Sequence, residues 1–378
     1  MQFKDVIGQQ NIKQQLTEMV ANSRLSHALL FLGKEGVGAL PLALAFAQYI
    51  VCENRQNGES CGECAPCKKA AQLMHPDIHF SFPVIPKKSG DKPVSADYIA
   101  EWREFLRNYP YGNVYDWLQS LDAENKQGNI TAEECNAIMH QLSLKSYESE
   151  YKILILWMPE YLGKEGNRLL KLIEEPPAKT LFILVAENEE QILPTILSRT
   201  QLVRIPLLET KDIQDALKQK SSLPADKALE IANLAEGNYR TALQQLQHSS
   251  DDWQQYLRDW LNAILKGGHP AIVKWIEEMN KLGREKQKMF LSYFNHLLAQ
   301  SVRLSAIGED NVSLSAQDKD FAQRLNKIAS ISQQEIMVEE LDKAIYFIER
   351  NANTKMLFHA LSIKLNYIIR RKALILAN

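Results

Sequence analysis

Residues Gly33-Lys34-Glu35-Gly36-Val37-Gly38 lie between an apolar run, His27-Ala-Leu-Leu-Phe-Leu32, and a helical one, Leu42-Ala-Leu-Ala-Phe-Ala47. Apolar strand, Gly-rich loop and helix, in that order, make a phosphate-binding loop of the form GxxxxGK[ST]. A working loop continues with Lys, which reaches the β- and γ-phosphates, and then Ser or Thr, which binds Mg²⁺. Ala39 and Leu40 hold those two positions here, and Pro41 follows with no backbone N–H to donate. Gly33, Gly36 and Gly38 remain, so the loop is built but has lost its lysine, its metal ligand and one donor. These residues predict a nucleotide-binding α/β fold in which this degenerate loop binds no cofactor and turns over no nucleotide.

The same alternation continues to about residue 210. Strand candidates are His27–Leu32, Ile78–Phe82, Tyr151–Leu156, Leu181–Val185 and Leu202–Ile205, all short and rich in Leu, Ile and Val. Strands covered on both faces have this composition. Helical patterns between them predict a parallel sheet. Residues 87–130 interrupt the scheme and carry Trp102, Tyr109-Pro-Tyr-Gly112 and Trp117. They read as an insertion with its own helices, whose exposed aromatics pack locally or on a partner. From Thr210, a candidate helix N-cap, the pattern is helical. Ala225–Ala235 and Arg240–Gln247, split by Gly237-Asn238, read as a small lid domain over 211–249. Residues 250–378 carry helical stripes such as Trp253, Leu257, Trp260 and Leu261, then Met337, Leu341, Ile345 and Ile348. Such stripes usually face a core.

A nucleotide hydrolase also needs acidic residues at the end of a second strand. Ile153-Leu-Ile-Leu156 is that strand, but Trp157-Met158-Pro159 follow it and Glu160 is the first acid. The strand alone is an ordinary core strand. Together with the broken loop, it places the loss of hydrolysis at two independent positions.

Four of the five cysteines cluster as Cys52-x8-Cys61-x2-Cys64-x2-Cys67. Two CxxC steps and a fourth thiol suit tetrahedral Zn²⁺, at ~2.3 Å per Zn–S bond, and leave no open position for water. Gly58, Gly62 and Pro66 fit tight ligand loops. The predicted module, 52–67, is therefore structural. An iron–sulfur cluster is the other metal group this spacing admits, and four unrelated buried or free thiols are the plain alternative. Cys135 stands alone and reads as a small buried hydrophobe.

Two arginines stand in recognisable surroundings. Arg199 lies in Leu193-Pro-Thr-Ile-Leu-Ser-Arg-Thr200, between the fourth and fifth strands. A planar, permanently charged guanidinium at a domain edge can reach a neighbour's phosphate; taken alone, it is a surface arginine in an ordinary salt bridge. Arg240, in Gly237-Asn-Tyr-Arg-Thr-Ala-Leu243, opens a helix, where a helix-surface or interdomain position is as good a reading as a phosphate contact.

The 378 residues are enough for two or three domains, and 45% hydrophobic content supplies their cores. A formal net charge of -2 gives no global pull toward nucleic acid or membrane, so any DNA contact must be local or made through partners. Met1-Gln-Phe-Lys-Asp5 is no apolar signal region, and the run Ala39–Cys52 is too short to span a bilayer. A cytoplasmic protein is expected.

The whole set resembles the clamp-loader branch of AAA+ proteins, and within it the delta-prime group of bacterial DNA polymerase III. The residues that carry the resemblance are Val6-Ile-Gly-Gln-Gln10, Ser26-His-Ala-Leu-Leu-Phe31, the degenerate loop and the four-cysteine module. Leu142-Ser-Leu-Lys145, Asn167-Arg-Leu-Leu-Lys-Leu-Ile-Glu-Glu-Pro-Pro177, Ile192–Thr200 and Gly237–Leu243 complete it. Residues 1–247 match well; the rest match in being helical. The resemblance implies an AAA+ α/β domain over 1–210 with an inserted zinc module, a helical lid over 211–249, and an all-α collar over 250–378. It also implies a non-catalytic stator in a hetero-oligomeric ring with motor and delta subunits, which loads a sliding clamp on primed DNA. In that ring, Arg199 would be an arginine finger donated to a neighbouring ATPase, and ATP would not be hydrolysed by this chain. Thr200 stands where a Cys is usual, Trp157 and Met158 replace acids often kept, and the 87–130 insertion lies outside the common pattern. The rival readings are an active AAA+ ATPase using Lys34 or backbone amides, and a zinc-stabilised scaffold outside replication.

Overall fold

In the computed structural model, which describes residues 1–88, 90–123, 126–221, 223–247, 253–307, 316–349 and 352–371, five apolar runs form one parallel sheet. They are β1 (Ala28–Leu32), β2 (Ile78–Ser81), β3 (Lys152–Trp157), β4 (Thr180–Ala186) and β5 (Gln201–Arg204), in the order β2-β3-β4-β1-β5. Each end falls within one residue of the predicted run, the usual uncertainty of an element boundary.

Successive residues of a strand point to opposite faces. Leu29, Phe31, Ile153, Ile155, Ile183 and Val185 therefore pack on one face, while Leu30, Leu154, Leu156, Phe182 and Leu184 pack on the other. Both faces are covered over β1, β3 and β4, as a parallel sheet requires, whereas the edge strand β5 buries only Val203. Helices α1 (Gln10–Ala21), α2 (Ala39–Val51), α3 (Ala65–Ala71), α4 (Ile99–Asn108), α5 (Val114–Ser120) and α6 (Ala132–Ser143) come before β3. Short helices α7 (Leu170–Glu174) and α8 (Pro194–Leu197) flank β4, and α9 (Thr210–Lys220), α10 (Ala225–Leu234) and α11 (Tyr239–Gln247) follow β5. Thr210 is the first helical residue of α9 and not its N-cap; Glu209 holds that place with extended backbone and no side-chain cap. Cys135 is fully buried with Ile138 and Leu142, in line with its expected role as a small core residue.

Most aromatics of the insertion are buried, Tyr109 being half exposed. Trp102 on α4 and Trp117 on α5 are completely buried. Trp102 stacks on Phe82 with ring centroids 4.1 Å apart, and it meets Trp117 edge-on at 5.3 Å and Trp157 at 5.1 Å. The Trp117 Nε1–H donates to the Pro83 carbonyl at 2.7 Å. The insertion thus belongs to the core beside the C-terminal ends of β2 and β3. Aromatic surface is too costly to leave in water when an apolar shelf lies next to it.

By compactness the chain divides into residues 1–244 and 245–378. The boundary expected at 249/250 lies outside the described residues. The second unit holds α12 (Trp253–Asn262), a π-turn over Ala263–Gly267, α13 (Gly268–Asn280), α14 (Arg284–Ile307), α15 (Ala316–Ile328), α16 (Ile331–Glu349) and α17 (Thr354–Arg371). Trp260 and Trp275 stack at 4.9 Å in its core, and the Trp260 Nε1–H donates to Ser362 Oγ at 2.9 Å. The predicted stripes face inward at Leu257, Trp260, Leu261, Met337, Leu341 and Ile348. Among the described residues no helix is long and apolar enough to cross a membrane.

Because Trp102 is the centre of the aromatic cluster, Trp102→Ala should destabilise the first unit by about 3–5 kcal/mol. Urea unfolding followed by hydrogen exchange on β2 and β3 checks this, with the exchange of α13 and α17 unchanged.

Candidate functional site

Ligands of open parallel sheets bind beyond the carboxyl ends of the strands. Here the loop after β1, Trp157-Met158 after β3 and Ala186-Glu187 after β4 meet at that end. Gly36 and Gly38 have φ of 74° and 91°, a left-handed backbone that glycine adopts without strain. Their missing side chains matter as much as their torsions. A Cβ on Gly36 would lie 1.8 Å from Asn238 Oδ1, and one on Gly38 would lie 2.9 Å from Tyr111 Cε1. The loop therefore has the shape of a phosphate cradle, but protein atoms press against it.

Tyr111, from the insertion, closes the cradle. It is 7% exposed, and its hydroxyl accepts the Ile7 N–H at 2.8 Å. Its ring sits edge-on to Tyr239 at 5.0 Å. Burial raises its phenol pKa. The cavity left among Gly33, Gly38, Leu40, Tyr111, Trp157 and Met158 measures about 20 Å³, which is room for a single water.

Arg240 is 5% exposed and does not face an open cleft. Its Nε and Nη2 donate to Asp116 at 2.5 and 2.6 Å, and its Nη1 donates to Glu35 at 3.1 Å. Glu35 also accepts from Asn113 Nδ2 at 2.7 Å and Asn238 Nδ2 at 3.4 Å, while the Tyr239 N–H donates to the Gly36 carbonyl at 3.0 Å. Asn113 and Asp116 form the capping box of α5. Sequence reasoning missed Glu35, Tyr111, Asn113 and Asp116. The turn Pro110-Tyr111-Gly112 followed by Asn-x-x-Asp signals a local helix start, but nothing in it signals a partner 124 residues away.

At the second motif Trp157 and Met158 follow Leu156 where acids are expected. Trp157 is buried in the aromatic cluster, and Met158 takes a left-handed φ of 59° while its N–H donates to the Val185 carbonyl. Glu160 Oε1 accepts the N–H groups of Glu187 and Asn188 at 2.7 and 2.9 Å, so its carboxylate ties down the exit of β4. Burial raises its pKa despite those donors. Lys34 is exposed.

Arg199 lies elsewhere. It precedes β5, whereas the loop follows the end of β1, and the two strands run parallel with Leu29 opposite Gln201 and Leu32 opposite Arg204. The loop and Arg199 are thus at opposite ends of the paired strands. The guanidinium is held by Glu174 Oε2 at 3.1 Å from Nε, and Nη1 donates to the Thr195 carbonyl at 3.0 Å and Ser198 Oγ at 3.4 Å. Among the described residues Nη2 makes no hydrogen bond.

The four predicted cysteines come together. Cys52 caps the C-terminus of α2, Cys64 caps the N-terminus of α3 and Cys67 lies in its first turn. All four Sγ atoms lie within 4.8 Å of one another. Cys52–Cys61 and Cys61–Cys67 are 3.6 and 3.9 Å apart. Sulfurs ~2.3 Å from one tetrahedral centre sit ~3.8 Å from each other, so the set fits a metal ion. Backbone N–H groups of Cys64 and Glu63 lower the Cys61 thiol to about 6, whereas burial raises Cys52 and Cys67. Glu59, inside the module, accepts the N–H groups of Phe3 and Lys4 at 3.1 and 2.8 Å and so fastens the N-terminus to it.

Truncating Arg240 leaves two carboxylates facing each other in a part-buried site. Arg240→Ala should cost about 3 kcal/mol, the lower end of the range for breaking a buried pair. Chemical denaturation against Asp116→Asn/Arg240→Met, which leaves only the Glu35 carboxylate and costs less, checks it.

Comparison with known proteins bears on the same stretch. A family model described as DNA polymerase III, delta subunit, matches residues 8–209, more than half of the chain. The DNA polymerase III subunit delta' of Bacillus subtilis is 27% identical over 217 residues, 57% of this chain and 53% of that protein. Its counterpart in Escherichia coli is 24% identical over 280 residues, 73% of this chain and 70% of that protein. The tau/gamma subunit of Haemophilus influenzae is 26% identical over 247 residues, 64% of this chain and 30% of that protein. The chain thus spans about half the length of the Bacillus relative and under a third of the Haemophilus one. With the family model covering the sheet, the loop and the cysteine cluster, the chain belongs to the DNA polymerase III delta subunit family of clamp-loader proteins.

Proposed function

We propose that this chain is a non-catalytic AAA+ stator of the DNA polymerase III clamp loader, of the delta-prime kind. It would work in the cytoplasm, in a hetero-oligomeric ring with motor and delta subunits that loads the sliding clamp onto primed DNA. The observation that carries the proposal is the loop itself: Ala39 and Leu40 replace lysine and metal ligand, and about 20 Å³ remains beside them. Small-molecule sites are ~300–1,000 Å³. The match to tau/gamma subunits favours a motor instead, and the same loop speaks against it: no lysine or hydroxyl stands at the two positions that reach the γ-phosphate and hold Mg²⁺.

Arg199 fits a role in trans. It lies at the far end of the strands from its own loop, and its guanidinium is oriented by Glu174 with Nη2 left to donate. A fork of this kind stabilises charge on a transferring phosphoryl group. The cysteine cluster fits structural Zn²⁺: four thiols close the coordination shell, and the site pins the end of α2, which begins at the loop. The second unit is the proposed collar.

Arg199→Ala in the reconstituted loader should remove the neighbouring site's share of ATP turnover, since a finger in trans is worth ~10³–10⁵ in GTPases. Steady-state ATPase assays with clamp and primed DNA, with assembly checked by gel filtration, test this; full turnover in an intact complex would sink the finger. Metal analysis should give about one zinc per chain. Removing it with a chelator should expose 52–67 to hydrogen exchange while the sheet keeps its protection, and Cys67→Ser should do the same without chelator.

A further inference from the structure

We infer that residues 110–116 are a resident ligand of the loop: the chain fills its own nucleotide cleft, and this plug is a lock separate from the lost lysine and metal ligand. The inference rests on the non-catalytic reading above and gives the insertion a role. Three observations carry it. Tyr111 occupies the space beside Gly38, where its ring blocks even a Cβ. Asp116 takes the side edge of the Arg240 guanidinium with two bonds and Glu35 takes Nη1, so carboxylates of the protein hold the cation that faces the loop. The cavity that remains beside Tyr111 is about 20 Å³, far too small for a nucleotide.

The plug is also rigid. α4 and α5 flank it, and their Trp102 and Trp117 are anchored in the core. The Tyr109 N–H donates to the Phe105 carbonyl at 2.7 Å and the Gly112 N–H to the Tyr109 carbonyl at 2.9 Å, so the turn is held from within. Ile7 grips the Tyr111 hydroxyl from the other side. Where a bound nucleotide would bridge the loop and residues 237–240, the chain bridges them with its own side chains. The connection is then permanent and owes nothing to ATP concentration.

Restoring the lost residues should therefore not restore binding. Calorimetric titration with Mg-ATP compares two chains: Ala39→Lys/Leu40→Thr, and the same pair with Tyr111→Ala and Asp116→Asn. A competent state populated at 0.1–10% weakens apparent affinity by the same factor, so opening the plug should tighten binding ~10- to 1,000-fold. Because Leu40 is a core residue, Tyr111→Ala/Asp116→Asn is also made in the natural loop, where amide exchange of 33–38 and 237–243 should quicken by a similar factor. Equal affinity of the two re-armed chains, or unchanged exchange in the opened one, overturns the plug and leaves the non-catalytic reading standing. Turnover of ATP by the unaltered chain would instead overturn that reading.

Discussion

Arg240, buried against Glu35 and Asp116, joins three stretches of chain that the sequence keeps far apart. Glu35 belongs to the loop after β1, Asp116 to the insertion and Arg240 to the segment after α10. Each partner satisfies the others, and an unpaired charge in such a site would cost several kcal/mol. The closed cleft follows from this arrangement: once Asp116 is fixed, α5 is fixed, and Tyr111 three residues before its start has nowhere to lie but on Gly38. The open cradle of a nucleotide-binding sheet has become a packed joint.

The cysteine cluster has a similar effect at the other end of α2. That helix runs 13 residues from Ala39 to Val51, ~20 Å, with the loop at its start and Cys52 at its end. A metal on the four thiols would fix the far end as the Glu35–Arg240–Asp116 cluster fixes the near one. The N-terminus is bound into both, through Glu59 in the module and through the Tyr111 hydroxyl. A subunit meant to hold shape while its neighbours cycle gains from such cross-links. One meant to bind and release nucleotide would be hindered by them.

The sheet was legible in the sequence because its central strands are apolar on both faces, so His27–Leu32 and Leu181–Val185 stand out without reference to anything distant. The four cysteines were legible because their ligand spacing is local. The residues that depart from the nucleotide motifs, Ala39-Leu40 and Trp157-Met158, were legible as substitutions at fixed positions. Tyr111 and Asp116 were not. They sit in a segment whose local signals, a Pro-Tyr-Gly turn and an Asn-x-x-Asp cap, are satisfied by any helix start, and their partners lie 104 and 124 residues away. Trp102 and Trp117 pack locally, one of the two readings the sequence allowed, but the shelf that buries them, Phe82 and Trp157, belongs to other elements and was not legible. Arg240 was visible as a charge but its partners were not.

The central claim is that the cleft is closed in the chain as nature made it. A crystal structure of the unaltered chain grown with millimolar Mg-ATP tests it most directly. The account predicts Tyr111 on Gly38, the Arg240 guanidinium between Glu35 and Asp116, and no density for nucleotide at the loop. Nucleotide bound across Gly33–Gly38 with Tyr111 displaced would contradict it.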